Sequence, residues 1–147
     1  MTRLVPPVYF LLCVGAMLLL HRSFPGARVV SGWLFEMGIG VIGFAVILGI
    51  SAVRLFHRRG TTVKPLQKPD KLVTEGVYRY SRNPMYLALV LAAAGIALLL
   101  GSASPWLAVI SLFIVLDRVF VQKEEALLAE YFGSVYAEYC KQVRRWL

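Results

Sequence analysis

Residues 83–116 form a run of 34 without a charged side chain. One membrane-spanning helix takes about 17–25 residues, so the run is too long for a single span. Gly101-Ser-Ala-Ser-Pro105 interrupts it near its middle, where Gly and Pro punctuate helices. The run therefore predicts two helices, about 84–100 and 105–121. Two further charge-free runs, 4–20 and 37–53, hold 17 residues each. They predict spans at about 4–20 and 33–54. The expected fold is all-α and integral to a membrane. It has about four transmembrane helices and a cytosolic C-terminal amphipathic helix, in a single membrane domain over 1–147. A loop (55–83) and a tail (122–147) are left outside the spans.

Composition agrees with this reading. Hydrophobic residues make up 59% of the chain and charged residues 16%, against ~25% charged in soluble proteins. A small domain cannot hide so much apolar surface, so a cytosolic globular enzyme is excluded. The net charge is +8. Its placement sets the orientation expected. Residues 54–82 hold eight Lys or Arg, the tail from Arg118 holds five, and Arg3 lies at the start. The first connection has only Arg22 and Arg28. The positive-inside rule then places both termini and the long loop in the cytosol, in a multi-pass protein of an inner or cell membrane. The first apolar run lacks a small-x-small cleavage site and reads as a span, not a signal peptide. Neither end carries a lipidation signature. Basic residues beside a bilayer favour lipid headgroups over nucleic acid as partners.

Several motifs carry less than their pattern suggests. Gly38-Ile-Gly-Val-Ile-Gly43 fits a dinucleotide fingerprint, but it sits within a spanning helix and not between a strand and a helix. Close helix packing is the expected role there, as for Ala45, Gly49 and Ala52. The small faces of the second and third spans also leave a homodimer open. His21 and His57 fall at opposite membrane faces, so no metal site is expected. Cys13 and Cys140 are expected to stay reduced. No Ser/His/Asp or Cys/His arrangement suggests covalent catalysis. The acids Glu36 and Asp117 lie near span ends, which disfavours a transporter.

Chemistry is thus confined to the loop and the tail. Asn83-Pro84 opens the third span, with Asn expected to cap the helix and Pro at its first position. In the tail, apolar residues recur at Leu128, Phe132, Val135, Tyr139, Val143 and Trp146, an amphipathic helical stripe. Gly133 is expected to interrupt that helix, which would lie on the membrane surface or fold over the loop.

Two segments carry a resemblance. Leu72-Val-Thr-Glu-Gly-Val-Tyr-Arg-Tyr-Ser-Arg-Asn-Pro-Met-Tyr86 resembles the signature Leu-Val-Thr-x-Gly-x-Tyr-x-x-x-Arg-His-Pro-x-Tyr of the isoprenylcysteine carboxyl methyltransferase family and its phospholipid methyltransferase relatives. Glu124-Glu-Ala-Leu-Leu-Ala-Glu-Tyr-Phe-Gly-Ser-Val-Tyr-Ala-Glu-Tyr139 is similar to the family's Glu-Glu-x-x-Leu-x-x-x-Phe-Gly-x-x-Tyr-x-x-Tyr. The order is the family's, with a helical hairpin between them. The resemblance implies an integral membrane methyltransferase that uses S-adenosylmethionine on a lipid or lipidated small-molecule acceptor. By motif, the implied cofactor contacts are Lys71, Leu72, Val73, Tyr78, Arg82, Asn83, Pro84, Met85, Tyr86 and Glu124. Glu125 is a candidate base.

The sequence departs from the family in two places. Asn83 replaces the usual His and cannot titrate near neutral pH. Phe120 stands where the prenylcysteine enzymes carry an Arg thought to hold the substrate carboxylate. Arg118, six residues before Glu124, is the candidate replacement. A carboxylate and an amine acceptor both stay open. Membrane sterol reductases have related architectures, which makes a nicotinamide-dependent reductase the alternative. A non-enzymatic four-helix transporter or subunit is the third reading.

Overall fold

The computed structural model describes residues 5–28, 32–60 and 71–147. Five helices make the frame: α1 (Pro6–Ser23), α2 (Gly32–Arg59), α3 (Pro84–Leu100), α4 (Pro105–Leu116) and α5 (Gln122–Gln142). The charges Arg3, Lys64 and Lys68 and the start of the first expected span at Leu4 lie outside the described residues.

Three helices begin on proline, whose missing N–H costs nothing in a first turn. The turn between α3 and α4 falls where the sequence predicts. Gly101 ends α3 in the left-handed conformation (φ 61°), and its N–H closes onto the carbonyls of Ala97 and Leu98. That turn is tied to the α1–α2 connection. The Ala103 N–H donates to the Ala27 carbonyl at 3.0 Å, and His21 Nδ1 lies 2.7 Å from Ser102 Oγ.

α2 and α3 pack most extensively, through small residues. A Cβ added at Gly95 would stand 2.6 Å from Ile42 Cγ1 and 2.9 Å from the Gly38 carbonyl. One added at Gly49 would meet Ala88 at 3.4 Å. Gly38 and Gly49 therefore do serve helix packing, within the chain itself. Gly40 and Gly43 face open space. A main core joins α1, α3 and α4 around Met17, Ala93, Leu112, Leu116 and Phe120. Leu11, Leu19, Phe44, Ile47, Leu107 and Ile114 face outward, an apolar exterior suited to lipid and not to water. By length and composition, three helices are apolar enough to cross a membrane, and α3 is a shorter apolar helix of 17 residues. The chain is an all-α membrane protein.

Two boundaries differ from expectation. α2 runs on to Arg59, five residues past the expected end at 54, so Arg58 lies on a helix and not in a loop. α4 does not end at 121 to release a separate tail. It passes through a π-helical stretch, Asp117–Val121, directly into α5. No Gly or Pro falls between Pro105 and Gly133 to stop it. The bend comes at Gly133, whose φ of 49° and ψ of −121° are non-helical and favour glycine. The predicted stripe holds at Tyr139 and Val143, both buried, but not at Val135, which is 63% exposed while Tyr136 is 4% exposed.

Candidate active site

The π-helical stretch and the first turn of α5 bring three acids to the start of α3. Such insertions widen a helix locally and recur at functional sites. Asp117 accepts from Gln122 Nε2 at 2.7 Å and from Trp146 Nε1 at 3.2 Å. Glu124 accepts from the Tyr86 hydroxyl at 2.8 Å. Glu125 lies between two guanidiniums. Arg145 donates to its Oε2 from Nε at 2.9 Å and holds Nη2 2.8 Å from the same oxygen, and Arg82 Nη2 is 3.3 Å from its Oε1.

Asn83 does not cap α3 with its side chain. Its Nδ2 instead donates to Glu125 Oε1 at 3.2 Å and to the Arg145 carbonyl at 3.1 Å. Only its own carbonyl serves the helix, accepting from the Leu87 N–H. A charged acceptor outcompetes a local backbone donor for that amide. The segment before α3 and the end of the chain are further joined by Arg82 N–H to the Arg144 carbonyl at 3.0 Å. Ser81 Oγ donates to the Arg145 carbonyl at 3.3 Å. Trp146 packs on Phe113 with ring centroids 4.9 Å apart.

The loop is held from both sides. Gly76 turns with φ 56°, a conformation that favours glycine, and a Cβ there would lie 2.7 Å from Leu55 Cδ1, which would have to move. Val73 and Tyr78 pack with Ala52 at the end of α2. The Tyr139 hydroxyl donates to the Tyr78 carbonyl at 2.6 Å. Leu72 packs against Tyr136, Tyr139 and Val143. Burial pushes the Tyr78, Tyr136 and Tyr139 phenols well above the ordinary value, so all three stay neutral. The hydrogen bonds to Glu125 raise Arg145 further, against the opposing effect of burial.

Of the residues picked from sequence, Arg82, Asn83, Tyr86, Glu124 and Glu125 come together here. Val73 and Tyr78 belong to the adjoining packing against α2, Leu72 to that against α5, and Lys71 is exposed. Arg118 is not brought to the cluster. Its side chain is 74% exposed, and its Nε is 3.9 Å from Asp117. Phe120 is buried, stacked on Tyr86 at 6.1 Å and edge-on to Tyr9 at 5.5 Å. Sequence reasoning missed Arg145 and Tyr136 as site neighbours. Arg145 counted only as tail charge, and nothing in local spacing marks a contact made across 20 residues.

Met85 and Tyr86 also line an apolar cavity of about 720 Å³ with Pro6, Phe10, Ala45 and Ile50, among α1, α2 and α3. Among the described residues no group of three His, Cys, Asp or Glu could hold a metal.

An apolar cavity and a polar cluster meeting at Tyr86 define the class: an all-α membrane protein with an ionisable site at the end of its helices. The phospholipid methyltransferase family profile matches residues 33–135, and the chain belongs to that family. Protein-S-isoprenylcysteine O-methyltransferase B of Arabidopsis thaliana is 30% identical over 125 residues, covering 82% of this chain and 61% of the relative. The Schizosaccharomyces pombe protein-S-isoprenylcysteine O-methyltransferase is 37% identical over 79 residues, covering 52% and 32%. That of Saccharomyces cerevisiae is 34% identical over 131 residues, covering 82% and 53%. The chain thus spans about a third to three-fifths of the length of these relatives.

Proposed function

We propose that this chain is a multi-pass membrane methyltransferase that moves a methyl group from S-adenosylmethionine to a lipid-borne acceptor, with both termini and the site on the cytosolic side. The observation that carries the reading is the position of Tyr86. Its ring lines the apolar cavity and its hydroxyl donates to Glu124, so one residue adjoins both a lipid-sized space and a polar cluster.

The residues present fit the donor. A sulfonium is held by aromatic faces, worth roughly 0.5–2 kcal/mol, which Tyr78 and Tyr86 can offer. An amino-acid carboxylate suits a guanidinium and a helix start. Arg82 and the Asn83-Pro84-Met85 turn supply these, and Arg82 Nε is buried without a hydrogen-bond partner. Glu124 suits an ammonium or hydroxyl group, while Lys71, Leu72 and Val73 complete the proposed contacts. The donor supplies a methyl already activated by its sulfonium. The chain's part is then to hold two reactants in line and keep water away.

A prenylated cysteine carboxylate is the favoured acceptor, with its chain in the cavity among α1, α2 and α3. Three relatives above are named for isoprenylcysteine O-methylation. An ionised carboxylate is already nucleophilic and needs no base. That suits a Glu125 already engaged by the guanidiniums of Arg82 and Arg145. Arg118, exposed just beyond α4 and outside the cluster, is proposed to draw the acceptor's anionic end toward the site from the surface.

Calorimetry on the purified protein tests the donor. Heat is expected with S-adenosylmethionine and S-adenosylhomocysteine and none with NADPH. Binding of NADPH alone would replace this reading with a reductase. Transfer of labelled methyl to S-farnesyl-N-acetylcysteine, released again by alkali as a methyl ester should be, tests the acceptor.

A further inference from the structure

Three arginines converge at the far end of α2 without an acidic partner among the described residues. Arg54, Arg58 and Arg79 line one groove of about 520 Å³, together with Ser51 and Tyr80. All three side chains are exposed. Among the described residues none of them has a carboxylate within ion-pair distance. Positive charges gathered this closely repel one another unless an anion sits among them.

The approach to the groove is apolar. Phe44, Ile47, Ser51, Arg54 and Arg58 follow one another at steps of three and four, so they form one stripe along α2. Phe44 and Ile47 are exposed, large and apolar. A stripe that begins with hydrocarbon, passes a hydroxyl and ends in two guanidiniums has the polarity profile of a phospholipid lying along the helix. Arg79 comes from the short helical turn Gly76–Arg79, so the headgroup would be held from two elements. The cavity lined by Tyr86 uses another face of α2, through Ala45, Val46 and Gly49.

We propose that this groove is a binding site for the phosphate of an anionic phospholipid, separate from the methyl-transfer site and independent of that function. Guanidiniums match phosphate oxygens in a planar fork. Basic residues at a membrane surface draw anionic lipid in any case, so the test must separate a built site from general attraction.

Native mass spectrometry of the full chain, released from detergent with added lipid, gives the readout. Phosphatidylglycerol should remain bound where phosphatidylcholine does not, a comparison that needs no variant. The pair Arg54→Gln with Arg79→Gln should lower phosphatidylglycerol retention about tenfold. Arg22→Gln with Arg28→Gln removes the same charge elsewhere and should change it less than twofold. Equal retention of both lipids, or equal loss in both pairs, overturns the proposal. Inorganic phosphate at millimolar concentration should not displace the lipid. Displacement would assign the groove to a soluble anion instead.

Discussion

Arg145 Nε donates to Glu125 Oε2 at 2.9 Å, and its Nη2 stands 2.8 Å from the same oxygen. Its backbone carbonyl takes the amide of Asn83. One residue three places from the end of the chain therefore fixes both the carboxylate and the entry to α3. The same guanidinium reaches Asp117 at 3.8 Å, so it spans the two sides of the π-helical stretch.

Arg145→Gln should leave Glu125 paired with Arg82 alone and loosen the chain end from α3. Hydrogen bonds to charged groups contribute about 1.5–3 kcal/mol, and the partial exposure of Arg145 places this pair at the low end. Thermal unfolding in detergent should show a fall in midpoint of a few degrees. Arg145→Lys should recover only part of it, because an ammonium lacks the fork. An unchanged midpoint in the Gln variant would show that the contact is idle.

Tyr86→Phe removes one hydroxyl and keeps the ring stacked on Phe120. The fold should persist, with the unfolding midpoint within a few degrees of the parent. Affinity for S-adenosylmethionine should drop about tenfold, since Glu124 loses the donor that orients it, a loss of order 1.4 kcal/mol. Glu124→Gln should weaken binding at least as much. Calorimetric titration of both variants decides the matter.

Gly95→Ala forces a methyl to within 2.6 Å of Ile42 and 2.9 Å of the Gly38 carbonyl. Overpacking of this kind costs about 1–3 kcal/mol. Gly40→Ala meets nothing within 4 Å and, by its better helix propensity, should be neutral or slightly stabilising. A larger loss of melting temperature at position 40 than at 95 would contradict the α2–α3 contact.

The buried phenols give a pH dependence of definite sign. Tyr78, Tyr136 and Tyr139 hold their protons more tightly folded than unfolded. Their contribution to stability is complete below about pH 10, the unfolded value, and is lost as pH rises beyond it. Ultraviolet titration should find tyrosinate from these residues only well above about pH 10, the ordinary phenol value. The unfolding midpoint should fall over the same alkaline range.

Much of the site was legible from local pattern. The charge-free runs, the Gly101 and Pro105 break and the two motifs placed Tyr86, Glu124 and Glu125 near one another before any coordinates, because hydropathy and motif order are properties of the chain itself. The side-chain role of Asn83 was not legible. Its helix-start position suggested a cap, but the choice between a backbone N–H and a carboxylate 42 residues away is made by proximity.

The sequence alone thus determined an all-α membrane frame, the turn between α3 and α4, and the family to which the loop and tail belong. Hydrocarbon must be buried in lipid, and backbone polar groups there must bond within helices. Only the tertiary structure decided that α4 runs unbroken into α5 and that Tyr136, not Val135, is buried. It alone decided that Arg145 closes the cluster. These are long-range contacts, chosen by which charges and rings meet once the helices have packed, and no local spacing encodes them.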